Sequence, residues 1–211
     1  MKTDELLNLL AADRITAPAP AQQLLRTLLP GVAVAITLYL IVAGWRADVI
    51  ASLSSPRFIF KLAINAALIL AAGALLLRLT RPEAITGKLR IPLLLILAAL
   101  LIAVTTELLL LPQATWWQAA HGHNSTWCLR LIPTFAAAPL AATLYTLRRA
   151  APTRPAMAGA VAGLVSAGIG GVLYATHCPD DSPLFVALWY GLATALVAAV
   201  GALAGARILR W

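Results

Sequence analysis

Charge is what this chain has least of. Asp, Glu, Lys and Arg make up 11% of its 211 residues, against 61% hydrophobic residues and a mean hydropathy of +0.87. So little polar surface cannot cover a globule in water, which excludes a soluble fold. Cysteine is nearly absent: the chain has two, Cys128 and Cys178, and they stand far apart. Without a vicinal CxxC pair, a membrane thiol oxidoreductase is disfavoured, and the chain is expected not to be an enzyme. None of the three histidines falls inside a long apolar run, which argues against a histidine-ligated membrane haem. The opening residues carry Asp4, Glu5 and Asp13 and lack an apolar h-region, so a cleaved export signal is not expected.

What the chain does have is apolar runs of spanning length. A hydrocarbon core about 30 Å thick takes roughly 20 helical residues. Six such runs appear, at Leu25–Gly44, Phe58–Leu79, Ile91–Leu111, Cys128–Leu147, Ala156–Ala175 and Leu184–Ala206. The expected fold is all-α: a polytopic membrane protein of six transmembrane helices, with one compact bundle over 25–211 and a cytoplasmic segment over 1–24. The formal charge of +8 comes from 16 basic residues that stand singly or in small groups between the runs. They form no patch for nucleic acid and read as topology determinants. Placing the N-terminus inside puts all of them in the cytoplasm except Arg46, Arg57, Lys61 and Arg130. Both termini are then cytoplasmic, and the lipid bilayer of a bacterial inner membrane is the first partner.

The leading segment reads TDELLNLLAAD, with Leu6, Leu7, Leu9 and Leu10 at helical spacing, Asp4 and Glu5 in the first turn, and Thr3 placed to cap. Helices that lie on a leaflet usually carry Lys and Arg on the polar face. Here that face is acidic, with Asp4, Glu5 and Asp13, which favours insertion into a groove on a protein partner. The APAP stretch, 17–20, then acts as an extended spacer.

Within the spans, Lys61, Asn65 and Glu107 sit near the outer ends. A pair between Glu107 and Lys61 or Arg130 is the expected arrangement, because no line of charges continues inward as a proton relay requires. Midplane ionisable groups and broken helices are scarce, which disfavours a transporter of metals or other small molecules, and no small-molecule substrate is expected. Pro133 and Pro139 predict a bend in the fourth span. Gly159 with Gly163, and Gly201 with Gly205, predict close helix packing.

The polar breaks PQATWWQAAHGHNSTW and THCPDDSP gather the remaining chemistry on the outer side. Trp116, Trp117 and Trp127 suit an interfacial belt. Cys128, Cys178, His121, His123 and His177 all fall there. Three readings of that set stand open: a disulfide between Cys128 and Cys178, favoured by an oxidising compartment and an even cysteine count; a transition-metal ion on the thiols and imidazoles; and packed, inert thiols. No cofactor is required by any other feature.

The start MKTDELLNLLAAD, the six spans, STWC and HCPDDSPLFVALWYG together resemble the NrsF-type family of multi-spanning bacterial anti-sigma factors. The resemblance covers essentially the whole chain. It implies that an extracytoplasmic-function (ECF) sigma factor is held at the inner membrane through the N-terminal segment; the acidic-faced helix read there makes Asp4, Glu5, Leu6, Leu7, Leu9, Leu10 and Asp13 the expected contacts, the leucines foremost. It also implies that Cys128 and Cys178 take part in sensing oxidative or heavy-metal stress.

Overall fold

Backbone donors and acceptors cannot be left unpaired in hydrocarbon, and the chain meets that demand with helices. The computed structural model describes residues 20–80, 91–150 and 152–209, and among these there is no strand. In chain order the elements are α1 (Pro20–Val42), α2 (Val49–Ser52), α3 (Pro56–Leu79), α4 (Ile91–Leu110), α5 (Gln113–His121), α6 (Ser125–Ala150), α7 (Pro155–Ala175), α8 (Pro183–Phe185), a π-helical turn at Val186–Tyr190, and α9 (Gly191–Ile208). Six stretches are long and apolar enough to cross a membrane. Their positions match the six runs read from sequence. The N-terminal segment with its leucines and acidic residues lies outside the described residues.

Proline sets several starts. Pro56, Pro155 and Pro183 each occupy the first turn of their helix, where the missing N–H removes no intrahelical bond. Pro133 and Pro139 lie inside α6, yet α6 continues through both. Packing on α1, α7 and α9 replaces what the lost backbone bonds would have held. The segment after α4 holds a feature that periodicity did not reveal, the short helix α5. Its QATWWQAAH sequence mixes exposed and half-buried positions without an apolar stripe.

At the centre stands α7, the most buried span, packed against α3, α6 and α9. Its sequence explains that place: it is mostly Ala, Gly and Val, so neighbouring backbones approach closely. The contact with α9 is the tightest. A Cβ built on Gly159 would overlap the carbonyl oxygen of Gly201, and it would sit 2.9 Å from the Cα of Gly205. The small-residue spacings therefore do what their pattern predicts. By contrast α4 is the least buried span, with Leu94, Leu95, Leu101 and Ile102 exposed for lipid to cover. Between α3, α4 and α9 is a largely apolar cavity of about 250 Å³, bordered by Ile64, Asn65, Leu100, Tyr190 and Thr194.

Gly159→Val is expected to lower thermal stability in detergent by roughly 1–3 kcal/mol through overpacking. Gly73→Ala, whose Cβ would meet nothing within 4 Å, should be neutral or stabilising by about 0.5–1 kcal/mol. Equal losses in the two variants would remove the α7–α9 contact from the account.

Candidate functional site

The loop 176–182, Thr-His-Cys-Pro-Asp-Asp-Ser, joins α7 to α8 and is tied to most of its neighbours. From α3, the Lys61 ammonium donates to the carbonyl of Cys178 at 2.8 Å and that of Asp180 at 3.3 Å, and it forms an ion pair with Asp181. An ammonium has three donors, and all three find partners here. That complement is what lets Lys61 lie fully buried. Arg46, from the segment after α1, binds the same carbonyl of Cys178 at 3.3 Å and the other Asp181 oxygen at 3.0 Å. Its remaining donors hold Asp48 in a two-point contact at 2.7 and 2.8 Å. That hydrogen-bonded guanidinium keeps the Asp48 carboxyl down at about 2, and Asp48 in turn raises the Arg46 pKa.

The other members of the loop are held as firmly. Asp180 accepts the backbone N–H groups of His123 and Asn124 at 3.1 and 2.9 Å, and the Asn124 side-chain amide at 3.1 Å. It thereby caps α6 from a distant part of the chain, where a carboxylate also meets the positive end of the helix dipole. Gly122, at φ 59°, makes this possible: a Cβ there would strike the Phe185 ring and the Asp180 carboxyl. Glu107 on α4 accepts from the Ser182 hydroxyl at 2.7 Å and from the Leu184 N–H at 3.0 Å. Tyr39 on α1 meets the Thr176 hydroxyl at 2.7 Å, and the Arg46 N–H donates to the Thr176 carbonyl at 3.1 Å.

Glu107 makes its ion pair with Arg57 at 3.2 Å, which corrects the pairing with Lys61 or Arg130 expected from sequence. The cause is the division of labour along α3. Arg57, more than half exposed, reaches Glu107 from the rim, while Lys61, one turn deeper, faces the loop with its carboxylate and two carbonyls. Arg130 is exposed.

Both cysteines are free thiols, fully buried in one cluster with Tyr39, Phe135, Tyr174, Phe185 and Tyr190. The Cys178 thiol donates weakly to Asp180 at 3.9 Å. Burial raises its pKa from 9.0 to about 11, although the Lys61 charge pulls the other way. The Tyr190 hydroxyl is buried with no hydrogen-bond partner among the described residues, on the π-helical turn beside this cluster. The histidines go elsewhere. His121 stacks on Trp117 at 5.4 Å and meets Trp189 edge-on. His123 is exposed and lies 3.6 Å from Asp180. His177 donates from Nδ1 to the Gly44 carbonyl at 3.0 Å. Among the described residues, no three His, Cys, Asp or Glu side chains are grouped to hold a metal ion.

Sequence reasoning missed Arg46 as a loop anchor and Asp180 as a helix cap. The available signal was the pair of carboxylates in PDDS, which needed cations and N–H groups to settle against.

Lys61→Met is expected to cost roughly 3–5 kcal/mol, because the partly buried Asp181 is left half-paired. Adding Asp181→Asn should recover a large part of that loss in thermal unfolding; simple additivity would dissolve the proposed pair. The thiol gives a second expectation. A folded pKa above the unfolded one stabilises below pH 9.0 and loses that contribution as pH rises towards about 11. Alkylation of Cys178 in the folded Cys128→Ser protein should therefore be slow at pH 8 and keep accelerating up to about pH 11. A plateau near pH 9 would contradict this.

The family described as "Negative regulator of sigma F" matches residues 10–211. The anti-sigma-F factor NrsF of Caulobacter vibrioides is 34% identical over 220 residues, covering 100% of both chains. The probable anti-sigma-F factor NrsF of Azospira oryzae is 35% identical over 217 residues, again covering 100% of both. No solved structure matches significantly.

Proposed function

The chain belongs to the NrsF family of negative regulators of sigma F, and from that premise we propose that it sequesters an ECF sigma factor at the inner membrane through residues 1–24 and releases it when Cys128 and Cys178 react. Its relatives are named as anti-sigma factors, regulators rather than enzymes. In this reading the thiol end of the bundle faces the periplasm and the N-terminal leucines of Leu6, Leu7, Leu9 and Leu10, with Asp4, Glu5 and Asp13, grip the sigma factor in the cytoplasm.

The observation that carries the sensory half is the double use of the Cys178 carbonyl, bound by both Lys61 and Arg46. A change at the Cys178 sulfur occurs on the residue whose backbone anchors two cations. Oxidation by a peroxide would join the two sulfurs, removing one hydrogen from each thiol while the peroxide is reduced to water. A soft metal ion would instead displace the thiol protons, with His177 or His121 and His123 recruited after the loop moves. Either event perturbs 176–182. The shortest route from there to the partner is α1 itself, since Tyr39 binds Thr176 at one end and the N-terminal segment precedes Pro20 at the other. A shift of α1 against α6 is the kind of helix displacement that switches use.

Deleting residues 1–20 is expected to abolish co-purification of the sigma factor with the membrane protein and to derepress its regulon. Replacing both cysteines with serine should retain the bound sigma factor and eliminate induction by peroxide and by soft metals. Normal induction in that variant would take the thiols out of the mechanism.

A further inference from the structure

The end of the bundle opposite the thiols has a different electrostatic character. Among the described residues it carries Arg26, Arg78, Arg148, Arg149, Arg154 and Arg207, while the described carboxylates, Asp48, Glu107, Asp180 and Asp181, all lie at the thiol end. Two of these arginines share a cleft. The start of α1 and the end of α6 bound an opening of about 240 Å³, lined by Gln23, Arg26, Thr27, Tyr145, Thr146 and Arg149.

The floor of this cleft is fixed. The Thr27 and Thr146 hydroxyls meet across the two helices, one donating to the other, and each lies within hydrogen-bond distance of a carbonyl of its own helix. One wall is pre-set as well: Arg149 donates to the Tyr145 hydroxyl at 2.6 Å, and its guanidinium stands over the Tyr145 ring at 4.8 Å. That contact uses the Tyr145 oxygen as acceptor and leaves its O–H free to donate. What remains to face a ligand is rich in donors: two guanidinium groups, one phenol and the Gln23 amide. Among the described residues no carboxylate lines the cleft, and neither Arg26 nor Arg149 enters an ion pair.

Planar guanidinium forks match the oxygens of a phosphate group, which offers acceptors only. The cleft lies where an apolar span emerges from hydrocarbon, with Leu25 and Leu29 exposed on α1 beside it. Basic pockets between spans at that depth suit lipid headgroups. We propose that this α1–α6 cleft binds the phosphate headgroup of an anionic phospholipid, with the acyl chains lying along the apolar surface of α1. The site is independent of the sigma-factor reading.

The test is native mass spectrometry and fluorescence quenching on the full-length protein in neutral detergent, titrated with phosphatidylglycerol or phosphatidylcholine. Phosphatidylglycerol is expected to bind as a discrete adduct and phosphatidylcholine not to compete. Arg26→Gln with Arg149→Gln should weaken the adduct roughly tenfold or more with an unchanged melting temperature, as both side chains are exposed. Arg78→Gln with Arg207→Gln, at the same end but outside the cleft, should leave it intact. An equal loss in this second pair would show diffuse attraction and overturn the site. Displacement of the lipid by inorganic phosphate at similar concentration would assign the cleft to free phosphate instead.

Discussion

An ammonium group carried into the protein interior must keep its hydrogen bonds or lose its charge, and the Lys61 side chain keeps them. Its three partners all come from residues 178 to 181. This one requirement bends the loop between α7 and α8 over the end of α3 and turns the Cys178 and Asp180 carbonyls inward. Once those carbonyls face Lys61, the Asp180 side chain is directed to the start of α6 and the Asp181 side chain lies between Lys61 and Arg46. The loop is therefore not a surface connection tolerant of change. It is the junction at which α1, α3, α4 and α6 are tied together by polar contacts outside the small-residue packing.

Two different forces divide the bundle. In the half away from the thiols, helices meet through shape, with Gly159 against Gly201 and leucines of α3 against α6 and α7. No hydrophobic driving force separates helix from lipid there, so close packing has to supply the cohesion. In the thiol half, cohesion is electrostatic and geometric. The least buried span, α4, shows the difference: most of its length is exposed, yet Glu107 fastens its C-terminal end to Ser182 and Leu184 and to Arg57.

The spans were legible in the sequence because a hydrocarbon slab imposes one length on every crossing helix, and apolar runs report that length directly. The glycine contacts were legible for a related reason, since a four-residue spacing of small residues repeats on one helix face. What the sequence did not disclose is where polar groups go when several could pair. Glu107 had Lys61, Arg57 and Arg130 within plausible reach, and only the path of the 176–182 loop decides among them. The same holds for α5, whose tryptophans read as an interfacial belt but not as a helix, and for the π-helical turn at Val186–Tyr190. The thiols were found as candidates by their rarity, whereas their complete burial depends on aromatic rings drawn from four separate helices.

That burial bears on how a thiol sensor would discriminate. An exposed, low-pKa cysteine reacts with any mild oxidant, because the thiolate is the reactive form. Here Cys178 is held protonated by its surroundings and shut away by the loop that contains it. Reaction then requires the loop to open first, and opening breaks contacts of Lys61, Arg46, Asp180 and Glu107. In a thiol sensor of this kind, the cost of that opening would set the threshold for response. Reagent access and release of the α1 contact at Thr176 become consequences of the same event, so the protein would need no separate step to turn a chemical change at sulfur into a mechanical change at the first span.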